Sequence, residues 1–257
     1  MKERIHLHRA YKRLAAAPPI STTIFLLLVA LCDVLIAVFY KPLLDGFVSQ
    51  VGQLAALAGV PTAVTHWRFL PVWVTEMPVL DAPASFPSYR LSLITFVLGV
   101  LVVVIVPRLR PVPKVVRVYV AFLSLLMTAS AIFFLFFPHR FPYDVVDFSL
   151  LYMGTQFGMW LLMPIVMGVA LSSLPSPVPE KLLVIVATVA YGAVFGAIRY
   201  ASFLFLLQKL TVLSMAAMFF ALGPLIDFVY MVSIYAIYVN IVALRLRDRP
   251  EVWRWSF

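Results

Sequence analysis

Six long apolar stretches dominate the sequence, and each has the length of a helix that crosses a membrane. A helix rises about 1.5 Å per residue, so about 20 apolar residues cross a hydrocarbon core about 30 Å thick. Prolines flank several of these stretches, where helices are expected to begin or end. The pattern predicts six membrane-spanning helices, over residues 20–40, 91–106, 118–137, 148–174, 182–207 and 225–244.

The sixth span is predicted to follow a break in a longer apolar stretch. That stretch covers residues 210–244 and would form a helix of about 52 Å, which exceeds one hydrocarbon core. Gly223 and Pro224 lie inside it, and a proline at such a position interrupts the helical hydrogen bonds. We interpret residues 211–222 as an interfacial or partly inserted segment that ends at this helix break.

The longest polar connection, residues 41–90, divides into two parts. Apolar residues recur at spacings of three and four over residues 43–58, which is typical of an amphipathic helix that lies on the outer membrane surface. Residues 62–90 contain four prolines, a density that disfavours a helix and indicates a short hairpin or an irregular outer cap. Trp67 and Trp73 suit the interface between lipid and water.

Composition decides the class of protein. Of the 257 residues, 63% are hydrophobic and 12% are charged, whereas soluble domains are about 25% charged. So little charge cannot cover a water-soluble surface, which excludes a soluble enzyme, a nucleic-acid reader and a disordered chain. The predicted fold class is all-α, a polytopic membrane helical bundle that contacts the lipid bilayer and has no nucleic-acid partner.

The distribution of basic residues predicts the orientation. The formal net charge is +9, and 14 of the 20 Lys and Arg residues fall in segments on the same side as the N-terminus. Because basic residues are enriched in cytoplasmic segments, both termini are predicted in the cytoplasm and the protein in the cytoplasmic (inner) membrane. Residues 1–19 and 245–257 are then basic tails of a single transmembrane domain, residues 20–244.

Three charged residues are predicted inside the spans, where charge is costly and often functional. Counting the rise per residue places Arg199 and Asp227 at a similar depth near the outer boundary, with Asp33 one or two turns deeper. A structural ion pair between Arg199 and Asp227 would lower the cost of burying both. A proton or cation relay through Asp33 is the functional alternative.

Two glycine pairs have the spacing that lets membrane helices approach closely. Gly154 and Gly158 lie in the fourth predicted span, and Gly192 and Gly196 lie in the fifth. We expect these pairs to pack the two spans against each other. The alternative is a face for a homodimer or for another protein.

The outer turn PHRFPYDVVDF gathers groups that can transfer protons: His139, Arg140, Asp144 and Asp147. They are candidates for an outward-facing acid–base site, and a solvated interfacial turn is the alternative. One histidine and two carboxylates are few ligands for a metal ion, so no metal site is predicted. Cys32 is the only cysteine, which excludes an intramolecular disulfide, and no motif for a cofactor is present.

Residues 47–106 carry a partial resemblance to a known family. They contain VGQLAALAGVPTAV, a proline-rich segment, and then PASFPSYRLSLITFVLGVLV. This order resembles the exosortase and archaeosortase group of membrane transpeptidases, in which an outer helix, a turn and a hairpin precede a span that opens on a nucleophilic cysteine.

The resemblance implies where catalytic residues would lie. Ser85, preceded by Ala84, stands at the position of the nucleophilic cysteine, and Arg140 is available for the arginine of that family. His139 precedes this arginine, whereas the histidine of the family follows it. The resemblance therefore implies a related scaffold without the thiol chemistry.

Three functions follow from these observations. The first is a non-catalytic subunit or scaffold of an envelope biogenesis, sorting or secretion complex, with a protein partner or a homo-oligomer. The second is an outward-facing, exosortase-like transpeptidase or transferase that uses Ser85, His139 and Arg140. The third is a transporter or permease subunit that uses Asp33 and the helix break.

Overall fold

The computed structural model describes residues 18–67, 76–109 and 111–247, apart from the side chain of His139, together with the backbone of residues 12–14 and 253–255. These residues form eight α-helices: α1 (Pro19–Val38), α2 (Tyr40–Leu57), α3 (Tyr89–Ile105), α4 (Lys114–Phe136), α5 (Val145–Ser172), α6 (Val178–Leu210), α7 (Met215–Leu222) and α8 (Pro224–Arg245). Four short strands accompany them: β1 (Lys12–Leu14), β2 (Ala63–Trp67), β3 (Met77–Asp81) and β4 (Trp253–Trp255). The fold is all-α, which confirms the predicted class.

The described residues contain six segments that are long and apolar enough to cross a membrane. They are α1, α3 with the turn after it, α4, α5, α6, and the stretch that contains α7 and α8. This confirms the prediction of a multi-pass membrane protein, whose apolar helices contact the bilayer. Helix α6 has 33 residues and is longer than the predicted span 182–207, because it continues through the polar residues at both ends of the apolar stretch.

The chain divides into two compact units. The first contains Met1–Val38, Trp160–Tyr191 and Val229–Phe257, and the second contains Phe39–Met159 and Gly192–Phe228. In the first unit, Val29 of α1 packs on Gly168 of α5, where an added Cβ would lie 2.8 Å from a Val29 methyl group. The buried Lys181 donates to the Ser172 carbonyl at 3.3 Å. Strands β1 and β4 pair in antiparallel fashion, which brings the segments before α1 and after α8 side by side.

In the second unit, α3 packs along α4, and α4 also contacts α7. The α3–α4 contact is close at Gly99, where an added Cβ would lie 2.2 Å from Thr128 Oγ1. Helix α7 is largely buried. Residues 211–222, which the sequence predicts to be an interfacial or partly inserted segment before the break, therefore pack inside this unit. Helix α7 ends at Leu222 and α8 begins at Pro224, which places the helix break at the predicted residues.

The connection between α1 and α3 contains a helix and a hairpin. Helix α2 buries one face, formed by Leu44, Phe47, Val48, Val51 and Ala55, as the apolar spacing over residues 43–58 predicts. Strands β2 and β3 pair in antiparallel register, with Thr65 opposite Val79. Strand β3 is buried except for its last residue, whereas β2 is mostly exposed. Trp73 and the rest of residues 68–75 of the predicted cap lie outside the described residues.

Candidate functional site

The most polar buried cluster in the described residues surrounds Arg199, in the C-terminal half of α6. Its guanidinium donates to both carboxylate oxygens of Asp227, from Nη1 at 2.8 Å and from Nη2 at 3.0 Å. Nη2 also donates to Gln156 Oε1 at 3.0 Å, Nε to the Tyr152 hydroxyl at 3.0 Å, and Nη1 to the Gly223 carbonyl at 3.1 Å. The side chains of Arg199 and Asp227 are 6% and 1% exposed. We call Arg199, Asp227, Gln156, Tyr152 and Gly223 the arginine cluster.

Every N–H donor of the guanidinium has a partner inside the protein. An arginine side chain carries five such donors and no acceptor, and the arginine cluster supplies five acceptors. A buried ion pair offsets its desolvation only when the remaining donors and acceptors are also satisfied. The cluster meets this condition, and it joins α5, α6 and the first turn of α8.

Local sequence explains why these groups meet. Tyr152 and Gln156 are four residues apart on α5, so they lie on one face of that helix. They meet the two α6 glycines: the Tyr152 hydroxyl donates to the Gly196 carbonyl at 2.8 Å, and Gln156 Nε2 donates to the Gly192 carbonyl at 3.4 Å. An added Cβ on Gly196 would lie 2.7 Å from Gln156 Oε1. Because these glycines have no side chain, Tyr152 and Gln156 of α5 are able to reach the α6 backbone and bond to it.

The glycine pairs behave differently on the two helices. Gly192 and Gly196 are buried against α5, whereas an added Cβ on Gly158 of α5 would meet no atom within 4 Å. Gly154 is half-buried. On α5 the face that meets the α6 glycines is therefore built from Tyr152 and Gln156.

The helix break supplies one acceptor of the cluster. Gly223 is the residue between α7 and α8, and an added Cβ there would lie 2.1 Å from the Phe219 carbonyl oxygen. Its own carbonyl accepts from Arg199 and from the backbone N–H of Ile226 at 3.1 Å. The carbonyl at the break is thus bound inside the protein. Transporters instead use carbonyls at helix breaks to bind an ion.

A second set of buried hydrogen bonds holds strand β3 to the helices. The Leu80 N–H donates to the Tyr200 hydroxyl at 3.3 Å, and the Ser149 hydroxyl donates to the Leu80 carbonyl at 2.7 Å. The Tyr200 ring stacks on the Tyr152 ring with centroids 4.5 Å apart. The β3 clamp, which is Tyr200 and Ser149, therefore adjoins the arginine cluster through an aromatic contact.

Ser85 lies in the segment between β3 and α3. Its carbonyl accepts from the Val212 N–H at 3.2 Å, next to Thr211, which has a positive φ of 68°. The Ser85 side chain is exposed, and its hydroxyl forms no hydrogen bond within the described residues. The Ser85 backbone is thus held in place by a hydrogen bond, and no described side chain acts as a base for its hydroxyl.

The predicted partners of Ser85 lie in the turn between α4 and α5. His139 and Arg140 belong to a short 3-10 turn, and the side chain of His139 is outside the described part. Arg140 is exposed, with its guanidinium carbon 5.8 Å from the centre of the Phe137 ring. No hydrogen bond among the described residues joins Arg140 to Ser85.

The two carboxylates of this turn cap a helix. The Asp144 N–H donates to Asp147 Oδ2 at 3.1 Å, and the Asp147 N–H donates to Asp144 Oδ1 at 2.8 Å. This reciprocal pair satisfies backbone donors at the start of α5, as a capping box does. The described residues contain no group of three or more His, Cys, Asp and Glu side chains that is able to hold a metal ion.

Asp33 lies on α1, in the first unit. It is half-buried, and its Oδ1 is buried without a hydrogen-bond partner in the described part of the chain. No salt bridge in the described residues includes Asp33. Of the three predicted intramembrane charges, the structure brings together Arg199 and Asp227, whereas Asp33 has no ionic partner among the described residues.

No protein-family model matches the sequence, no curated protein matches it, and no solved structure matches the fold. The functional conclusion therefore comes from the geometry of this chain. Sequence reasoning missed Tyr152, Gln156, Ser149 and Tyr200, which hold the arginine cluster and the β3 clamp. The available signal was the spacing of four between Tyr152 and Gln156 in an otherwise apolar span.

Proposed function

We propose that this protein is a non-catalytic subunit or scaffold of a membrane complex in envelope biogenesis, sorting or secretion. The observation that carries the proposal is the closed arginine cluster. An arginine that recognises a substrate carboxylate or phosphate needs N–H donors for that group. All five donors of Arg199 are bound inside the protein. The buried guanidinium therefore holds helices together and has no donor left for a substrate.

The β3 clamp supports the same proposal. Leu80 is bound through both its backbone groups to Tyr200 and Ser149, which fixes the hairpin on the helices. The exposed strand β2 is thereby held in one position. A rigid, exposed element on a packed helical support suits a protein that presents a surface to a partner. The resemblance of residues 47–106 to exosortase-type proteins favours a role in protein sorting.

The test is co-purification. The tagged protein is extracted from its native membrane in a mild detergent, and whatever accompanies it is identified and quantified by mass spectrometry. We expect a stoichiometric partner. We also expect Gly196→Leu to lose it, because the new side chain displaces Gln156 and disturbs the packing of α5 on α6. Gly46→Leu on α2 is the size-matched control, since an added Cβ there meets no atom within 4 Å, and Gly158→Leu tests whether the exposed glycine face of α5 binds the partner itself. A monomer or a homodimer without a partner would contradict the proposal.

The exosortase-like transferase is the second candidate, and the exposed hydroxyl of Ser85 is the observation that favours it. A serine nucleophile needs an adjacent base, which no described side chain supplies. Ser85→Ala separates the two functions. A scaffold keeps its partner and its cellular role in this variant, whereas a transferase loses activity while the protein stays folded. A transporter that uses Asp33 would instead lose a pH- or ion-dependent flux in Asp33→Asn.

A further inference from the structure

Strand β2 has one backbone edge without a partner in the described residues. In an antiparallel pair, the N–H and C=O of each residue point together, alternately toward the partner strand and away from it. Leu80 directs both groups away from β2, because they bind Tyr200 and Ser149. Its opposite residue, Val64, therefore directs its own N–H and C=O away from β3.

The same argument applies two residues along. His66 lies opposite Pro78, and successive residues of the same orientation are two apart, so His66 also directs its N–H and C=O outward. No backbone hydrogen bond from either residue to another described element is present. The outer edge of β2 thus offers two donors and two acceptors, repeated about 6.8 Å apart along the strand.

Strand β2 lacks the devices that usually block a free edge. Natural edge strands carry lysine, proline, bulges or inward charges, which prevent another strand from adding. The β2 sequence AVTHW has no lysine and no proline, and it contains residues that favour strands. Val64 is 55% exposed and Trp67 is 48% exposed. Strand β3 offers no second edge, because its outward groups are bound at Leu80 and Pro78 has no N–H.

We propose that the outer edge of β2 binds an extended polypeptide segment of a partner protein as a third strand. This inference rests on the proposed scaffold function and names its partner surface. An extended backbone supplies donors and acceptors together at the spacing of Val64 and His66, whereas a lipid phosphate supplies acceptors alone. Alternate side chains of the segment would lie beside Val64 on one face and Trp67 on the other, which favours apolar residues there.

The proposal is tested with the purified full-length chain in lipid nanodiscs and a phage-displayed library of random nonapeptides. We expect selected peptides to carry apolar residues at two positions three apart, one beside Val64 and one beside Trp67, and to lack proline at their centre. Each is then synthesised with one backbone N-methyl group at successive positions. A methyl group that blocks a bond to β2 should weaken binding about five- to tenfold, so that sensitive and insensitive positions alternate with a period of two. Binding that ignores N-methylation, or a library that yields no peptide, would overturn the proposal.

Two substitutions test the β2 side of the same bonds. Val64→Pro and His66→Pro each remove an outward N–H, and proline is tolerated on an edge strand at such a position. Val64→Thr and His66→Thr change the same side chains and keep the N–H. We expect about five- to tenfold weaker peptide binding in each proline variant than in its threonine control. Equal binding in both would overturn the proposal. The N-methyl series on the unmodified protein decides the matter if a proline variant does not fold.

A second copy of this chain is the competing occupant. If two β2 strands pair around Thr65, a Thr65→Cys variant forms a disulfide-linked dimer in nanodiscs and selected peptides do not compete with it, which would overturn the proposal. Failure of this inference is distinguishable from failure of the scaffold function. If a partner co-purifies equally with Val64→Pro and Val64→Thr, the proposed β2 site is wrong and the proposed scaffold function stands. If no partner co-purifies but peptides still bind at β2, the scaffold function is wrong and the β2 site stands.

Discussion

Replacing Arg199 by methionine should destabilise the protein more than any other single change in the arginine cluster. The variant removes five hydrogen bonds and leaves the carboxylate of Asp227, which is 1% exposed, without its guanidinium. Removing one partner of a buried ion pair costs about 3–5 kcal/mol. Asp227→Asn keeps an acceptor for the guanidinium, which also retains Tyr152, Gln156 and Gly223. We therefore expect the loss for Asp227→Asn to be smaller, about 1.5–3 kcal/mol.

The double variant Arg199→Met/Asp227→Leu separates the ion pair from simple packing. It removes both charges, so no unpaired charge remains buried, and replacing a whole pair by apolar residues is often close to neutral. We expect its loss to be at least about 2 kcal/mol smaller than the sum of Arg199→Met and Asp227→Leu.

The measurement is thermal unfolding in nanodiscs, followed by intrinsic tryptophan fluorescence. A domain of this size loses about 2–4 °C of melting temperature per kcal/mol, so Arg199→Met should lower it by about 6–20 °C. Two results would refute the view that this pair is buried and fully hydrogen-bonded. One is a loss of unfolding free energy in the double variant that equals the sum of the two single losses. The other is a loss below about 0.5 kcal/mol in the single variants, which is the range of ordinary surface substitutions.

The remaining predictions concern packing, the hairpin and the surface. Gly196→Ala should cost about 1–3 kcal/mol, since its Cβ would meet Gln156, while Gly158→Ala should be neutral in the same melting assay; equal losses would contradict the packing of α5 on α6. Tyr200→Phe should cost about 1–3 kcal/mol, because a buried N–H loses its acceptor, and should speed hydrogen exchange of the Leu80 amide; unchanged exchange would contradict the β3 clamp. Glu180→Gln breaks a half-exposed pair with Arg245 and should cost about 0.2–1 kcal/mol, less in high salt; a loss as large as that of Arg199→Met would show that this pair is buried.

The spans and the helix break could be predicted because they depend on local sequence. Length and apolarity define a membrane span whatever its neighbours are, and a Gly-Pro pair inside an apolar stretch is expected to kink or break the helix. The pairing of Arg199 with Asp227 also has a local basis. Counting residues along two helices gives their depths, and charges at equal depth are able to meet.

The partners of Arg199 on α5 could not be predicted in this way. Tyr152 and Gln156 contact it only because of how α5 is rotated about its axis, and rotation depends on the packing of several helices at once. The same limit applies to Ser85, His139 and Arg140. The family resemblance concerns the order of elements along the chain, and this order does not determine whether the three side chains meet. The described residues show no hydrogen bond between Ser85 and Arg140.

The hairpin could be predicted only in outline. The prolines of residues 62–90 exclude a helix, but the strands are set by pairing across a gap in the sequence and by the β3 clamp. Pro78 illustrates the difference. From sequence it argues against a strand, yet it fits β3 because its missing N–H lies on the edge that does not pair with β2.

One face of α6 connects the two polar systems of the second unit. Gly196 admits Tyr152, Arg199 binds the Tyr152 hydroxyl, and Tyr200 stacks on the Tyr152 ring while it holds Leu80. The position of the hairpin therefore depends on the same tyrosine that closes the arginine cluster. For a scaffold this arrangement has a clear use. A charge network that is fully satisfied has one favourable geometry, and an exposed strand attached to it is held ready for a partner, so that little ordering is left to oppose binding.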